Sequence, residues 1–323
     1  MAAANRIRPK DVFTDAEWAK LSRRDNWRGL VLVAHAWGWI IAAFALFALF
    51  PNPLTFLLSV MITGSRQLGV SILMHEAAHG ALHPNRKIND FLGHWLGAAP
   101  IGASLAQYRA YHLKHHQYVQ QPEDPDLVLA APFPASRDSL KRKIIRDLTG
   151  QTFLRQRLGG FKALKTASGN DKGAAAKQAE VLSSKRAFRD HAIVNLVIFG
   201  VLALAGVWWI YPAIWLVAMA TWLQLITRIR NIAEHACVPD SEDPLAHART
   251  THASWWERFF IAPYWVNYHS EHHAFMHLPC YRLPAAHRLL VEKGHSARIP
   301  QKRSYLDVLK EAASASTCSR TLA

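Results

Sequence analysis

Cysteine is scarce in this chain. Its 323 residues contain three, with no Cys-x-x-Cys pair, which excludes a disulfide framework, a thiolate zinc ribbon and a cysteine-held iron–sulfur cluster. Acidic residues are also few, with 23 Asp and Glu against 38 Lys and Arg and a formal charge of +15. Such an excess suits nucleic acid, an acidic partner or an anionic membrane surface. The first 29 residues carry seven basic side chains and no apolar run, so no secretory signal is expected there. From Leu30 to Phe50 charge is missing altogether. The mean hydropathy of −0.02 therefore averages very unlike stretches.

Twenty-one uncharged residues at about 1.5 Å rise span the roughly 30 Å hydrocarbon core of a bilayer. A Pro51-Asn52-Pro53 turn follows, then a second apolar stretch, Leu54–Met74, interrupted at Thr63-Gly64-Ser65-Arg66. Ala192–Ile210 and Pro212–Ile226 form another pair, hinged at Tyr211-Pro212. The pattern predicts an all-α integral membrane protein with four transmembrane helices in two hairpins, at about 30–50, 54–74, 192–210 and 212–226. Residues 1–29 read as a cytoplasmic arm, 30–311 as one membrane domain with a helical cap, and 312–323 as a disordered tail. Thr166–Ser184, rich in Ala, Gly, Ser and Lys, reads as a mobile linker.

The basic residues give the orientation. Seven lie in the N-terminal arm, fourteen in 137–189 and twelve from Arg228 onward, and none at either hairpin tip. By the positive-inside rule both termini and the long middle segment face the cytoplasm. Because the charge flanks apolar spans, lipid headgroups rather than nucleic acid are the expected partner. Leu140, Ile144, Ile145 and Leu148 recur at helical spacing among basic residues, as in a helix lying on a membrane surface. Trp255, Trp256, Phe259 and Phe260 suggest a second interfacial helix.

The eighteen histidines are not scattered. Eight fall in three five-residue windows: His75-Glu76-Ala77-Ala78-His79, His112-Leu113-Lys114-His115-His116 and His269-Ser270-Glu271-His272-His273. Spacings of three and four place imidazoles on one helical face, and the predicted spans put all three windows on the cytoplasmic side. His235, four residues after Asn231, is a ninth candidate. Imidazole suits several transition metals, and nine nitrogens exceed what one ion takes, so two ions are expected. Glu76, Glu123, Asp124, Asp126 and Glu271 stand near enough in sequence to orient the rings.

These windows, their order and their position against two apolar hairpins resemble the membrane fatty acid desaturase family, the histidine-box di-iron enzymes, over roughly residues 30–290. The resemblance implies that His75, His79, His112, His115, His116, His269, His272 and His273 hold two iron ions. It implies His235 as an additional ligand and Asn231 as a residue reaching iron through water. It also implies Glu76, Asp124, Asp126 and Glu271 as supports behind the ligands. The implied reaction is O₂-dependent desaturation of a lipid acyl chain, with a hydroxylase or ketolase acting on a sphingolipid, carotenoid or alkane as the alternative on the same scaffold. Without a fused cytochrome b5 signature, the chain needs a separate electron donor of ferredoxin or cytochrome b5 type.

From another class, His75-Glu76-x-x-His79 also fits an intramembrane zinc metalloprotease, which leaves the other two windows without a purpose. Arg66, a cation inside a span, is a candidate for pairing with a carboxylate or a substrate headgroup, against snorkelling to an interface. His35 reads as facing a neighbouring helix, His83 as a supporting or surface residue, and Cys237 and Cys280 as small apolar fillers.

Overall fold

A computed structural model describes residues 4–165 and 184–315. Nearly all of the linker reading and the last eight residues of the tail lie outside them. The described chain is mostly helical: α1 (Asp15–Ser22), α2 (Arg28–Leu49), α3 (Pro53–Ala78), α4 (Leu105–Tyr118), α5 (Arg137–Leu148), α6 (Gln151–Lys165), α7 (Lys185–Leu204), α8 (Trp222–His235), α9 (Trp255–Phe260), α10 (His269–Ala274), α11 (Leu283–Glu292) and α12 (Tyr305–Ala312), with shorter turns between. The sheet among the described residues is one parallel pair that the periodicity did not suggest, β1 (Thr250–Thr251) beside β2 (Gln301–Lys302). Four helices are long and apolar enough to cross a membrane: Arg28–Leu49, Pro53–Ala78, Lys185–Leu204 and Tyr211–His235.

The chain forms two compact units that interleave along the sequence. The helical unit takes Arg24–His112 and Asp147–Ile226. In α2 only a narrow stripe is buried, at Val33, Ala36, Ile40, Ala43 and Phe44, while Leu30, Val31, Ile41 and Leu49 are exposed. An apolar face on both sides is what a helix in lipid requires. Asn52 caps α3 by accepting hydrogen bonds from the amides of Leu54 and Thr55, and Pro53 occupies the first helical turn, where no amide is needed. Trp37 stacks on Trp215 with centroids 6.0 Å apart, and the Gln67 amide donates to the Trp215 carbonyl at 2.9 Å. Gly64 marks a close crossing, because a Cβ there would stand 2.9 Å from the Cβ of Trp222. Asn195, buried in an apolar span, has its carbonyl satisfied by Trp215 Nε1–H and Tyr211 O–H, which removes the cost of burying an amide.

One expectation needs correction here. The break between the last two spans does not fall at Tyr211-Pro212. It falls after α7, where Gly206 adopts a left-handed φ of +75°, and Pro212 opens the next helix. His35 is exposed on α2 and accepts from Trp39 Nε1–H of its own helix at 3.1 Å. Arg66 is 2% exposed, inside the unit and not at an interface.

The second, histidine-rich unit takes Met1–Arg23, Leu113–Arg146 and Thr227–Ala323. Its N-terminal residues are not a free arm. Thr14 and Glu17 close a capping box on α1, and Phe13 and Trp18 pack on Phe275 at 5.1 and 5.9 Å. Arg249 is buried and donates to the carbonyls of Ala233 and Ala236, satisfying the C-terminal end of α8, and to Glu311 at 3.0 Å. On α9, Trp255 and Trp256 are exposed, as an interfacial helix requires.

Candidate metal centre

Each histidine window is placed by a helix. α3 does not stop at Met74 but runs on through His75, with His79 at its C-cap. α4 carries His112, His115 and His116. His235 ends α8, and the short α10 presents His269, His272 and His273.

In the helical unit, one ring nitrogen each from His75, His79 and His112 lies within 4.8 Å of the others. His112 Nε2 stands 2.9 Å from His79 Nε2, and the rings of His75 and His112 are 4.4 Å apart. His75 Nδ1 meets Glu76 Oε1 at 3.3 Å. Tyr108 lies flat on His112, with centroids 5.2 Å apart and planes 10° from parallel. Sequence reasoning passed over Tyr108, although its position one turn before His112 was a usable signal.

The histidine-rich unit gathers a second group, His115, His235, His269 and His273, again within 4.8 Å of one another. The Nε2 separations are 3.2 Å for His115–His273, 3.1 Å for His235–His269 and 3.2 Å for His269–His273. Ligands about 2.1 Å from one ion stand roughly 3.0–3.4 Å apart in octahedral or tetrahedral geometry, so these spacings fit a metal. In the same unit His116 Nε2 and His272 Nε2 are 3.1 Å apart.

The partners behind the rings decide which nitrogen faces inward. His115 Nδ1–H donates to Asp124 Oδ1 at 2.7 Å, His235 Nδ1–H to the His247 carbonyl at 3.3 Å, and His269 Nδ1 lies 3.5 Å from Glu234 Oε1. A neutral imidazole has one N–H. With it spent on Nδ1, the three Nε2 lone pairs converge and repel each other unless a cation sits among them. Burial disfavours the charged form of both His115 and His273. At His115 the Asp124 and Asp126 carboxylates outweigh it and raise the pKa, whereas at His273 the other imidazoles join it and the pKa falls well below the ordinary value.

The expected supports divide. Glu76 and Asp124 contact ring nitrogens, and Asp126 lies 3.8 Å from His115 Nδ1. Glu271 points elsewhere, accepting from Thr250 Oγ1–H at 2.5 Å and His287 Nδ1–H at 2.6 Å. Its neighbours in the window occupy one helical face, so an intervening residue is turned away from them. The support for His269 is Glu234, held in turn by Arg230 at 2.5 Å, and its only sequence signal was adjacency to His235. Asn231 sits half-buried one turn before His235. His83 is buried and accepts from the Asn85 amide at 3.0 Å, apart from both groups. Cys237 is more than a filler, since it stands half-buried with a left-handed φ of +58° on the wall of a cavity beside His235.

A helical protein with four candidate membrane spans and two buried histidine groups able to hold metal is thus defined by its fold and site. The fatty acid desaturase family model matches residues 51–304, and the chain belongs to that family. It is also similar to a dihydrorhizobitoxine desaturase of Bradyrhizobium elkanii, 27% identical over 289 residues that cover 86% of this chain and 79% of that protein.

Proposed function

We propose that this chain is a membrane-bound, di-iron, O₂-dependent lipid desaturase that introduces a double bond into a fatty acyl chain. The observation that carries the reading is the convergence of Nε2 lone pairs on one point, with Nδ1–H groups committed to Asp124, the His247 carbonyl and Glu234. On this reading His115, His235, His269 and His273 hold one iron. His75, His79 and His112 are ligands of the other, His116 and His272 complete the histidine set that the family uses, and Asn231 acts through water. Bound iron supplies the reduction of O₂ needed to break an unactivated C–H bond. The balance is one –CH₂–CH₂– unit, O₂, two electrons and two protons giving –CH=CH– and two waters.

The chain's own residues supply position and environment. Asp124 and Glu234 fix ring orientation, and Asp126 adds negative charge beside His115, which offsets a cationic centre. Tyr108 braces His112 from the side. The two-hairpin layout, with both termini and the histidine windows on the cytoplasmic side, is supported by the placement of basic residues and by four apolar helices. An acidic electron donor of ferredoxin or cytochrome b5 type would dock on that basic face. Family membership and a relative named as a desaturase favour removal of two hydrogens over oxygen insertion, and favour both over peptide hydrolysis at zinc.

Metal analysis of the purified protein tests the centre, with two irons per chain expected and one zinc supporting a peptidase. Incubation with reductant, ¹⁸O₂ and a labelled acyl lipid tests the reaction. An alkene without ¹⁸O is expected, and a product carrying ¹⁸O would make the enzyme a hydroxylase or ketolase.

A further inference from the structure

The histidine-rich unit contains a cavity of about 170 Å³ that the desaturation chemistry leaves without a task. His115 and His235 form part of its wall, with Asp124, Asp126 and Asp240 among its other lining residues. Side-chain exposure falls inward: Asp240 is exposed, Asp126 is 22% exposed, Asp124 5% and His115 2%. By the same measure one water needs about 10–15 Å³, so the cavity takes a cation with part of its hydration shell. Two non-glycine residues with left-handed φ, Gln120 (+64°) and Cys237 (+58°), shape the walls, and the Gln120 side chain ties the segments together by donating to the Pro239 carbonyl and accepting from the Ser241 amide.

We propose that this cavity is the route by which a divalent metal ion enters the His115–His235–His269–His273 group. The inference rests on the metal-centre reading above and adds the path to it. Three observations support it. First, the chain is strongly basic, at +15, and its overall field repels Fe²⁺. A local set of carboxylates at one cavity reverses that field where the ion must pass, since clefts lined by one sign of charge raise local counter-ion concentration and on-rates. Second, the donor types change in the right order. Oxygen ligands suit a hydrated, hard cation, and imidazole suits iron once water has been shed, so an ion moving from Asp240 toward His115 exchanges weaker partners for stronger ones. Third, His235 and His273 are only half-buried, whereas His75, His79 and His112 are fully buried, so this group is the one with an opening at its edge. The lining carboxylates gain a purpose from the inward-facing lone pairs behind them.

Stopped-flow loading of the full-length apoprotein in detergent tests this, with Co²⁺ as the probe and its visible absorption as the readout. Asp240 touches none of the ligand nitrogens and is the residue to change. Asp240→Asn is expected to slow one loading phase about threefold to tenfold at low ionic strength, and Asp240→Lys further, in keeping with the on-rates that electrostatic focusing provides. That phase should be the one abolished by His235→Ala. Added salt should slow the wild type toward the Asp240→Asn rate, with final Co²⁺ content and spectrum the same in all three proteins. Equal rates in wild type and both Asp240 variants would overturn the route while leaving the metal centre standing. A lower final content or a changed spectrum in Asp240→Asn would also overturn it, by making Asp240 a ligand. A wild type that binds no Co²⁺ at all would remove the metal centre and the route together.

Discussion

Asp124 holds His115 from behind. Its Oδ1 accepts from the ring Nδ1–H at 2.7 Å, and the same carboxylate accepts from the backbone amides of Asp126 and Gln120 at 2.8 and 3.2 Å. The ring is therefore tied to the loop that follows α4 and not merely to its own helix. Replacing Asp124 with Asn keeps the shape but removes the charge and the preference for one tautomer. Metal affinity should fall about 10- to 100-fold with the helical circular dichroism unchanged. Chelator competition with purified protein measures the first, and an unchanged affinity would count against the role given to Asp124.

Glu271 lies between ligand histidines in sequence yet serves the scaffold. It is fully buried and bonded to Thr250 and His287. Glu271→Ala leaves a buried imidazole and hydroxyl without their acceptor, at a cost of about 3 kcal/mol. A lowered thermal midpoint is expected, with chelator competition on the folded protein still near the wild-type value. Glu234→Ala should show the converse emphasis, a loss of metal affinity.

At the crossing of α3 and α8, Gly64 leaves no room for a side chain. A Cβ would meet the Cβ of Trp222 at 2.9 Å, its Cδ1 at 3.0 Å and the Leu223 amide nitrogen at 3.1 Å. Gly64→Ala should destabilise the helical unit by about 1–3 kcal/mol, read as a lower midpoint in detergent unfolding. Gly38 has nothing within 4 Å of the corresponding position, so Gly38→Ala serves as the neutral control.

Arg298 pairs with both oxygens of Asp243, at 2.7 and 2.8 Å, and thereby holds its carboxyl below the ordinary range. The folded state therefore binds this proton less readily than the unfolded chain. The stabilisation is fully present above the unfolded value of about 3.9 and is lost as the pH falls below it toward the folded one. Both side chains are about a third exposed, so the effect should stay under about 1 kcal/mol. The midpoint difference between wild type and Asp243→Asn should be present at pH 6 and shrink as the pH falls below about 4. A constant difference across that range would exclude the linkage.

Much of the site was legible because its signals are local. Helical spacing brought His75 to His79 and His269 to His273, and Asp124, a carboxylate eight residues past the second window, was a fair candidate for orienting His115. What escaped depends on distance along the chain. Glu234 reaches His269 across 35 positions, and Glu271 is drawn to His287 by a packing that no spacing encodes. The spans were found by their lack of charge, but their ends were not, since α7 starts at Lys185 with Arg189 and Asp190 paired inside its first turns. The β1–β2 pair is two residues long on each side and leaves no periodicity to read.

The packing of Phe13 and Trp18 on Phe275 has a bearing on how the protein is made. Phe275 follows His273 by two residues, so the aromatic anchor beside the third histidine window is built from opposite ends of the gene. Translation delivers the N-terminal half of that anchor first and the other half some 260 residues later, after all four apolar segments have emerged. At a synthesis rate of about 5–20 residues per second, the interval is tens of seconds. The nascent N-terminus spends it without its partner, and the surroundings of the third window settle only near the end of synthesis.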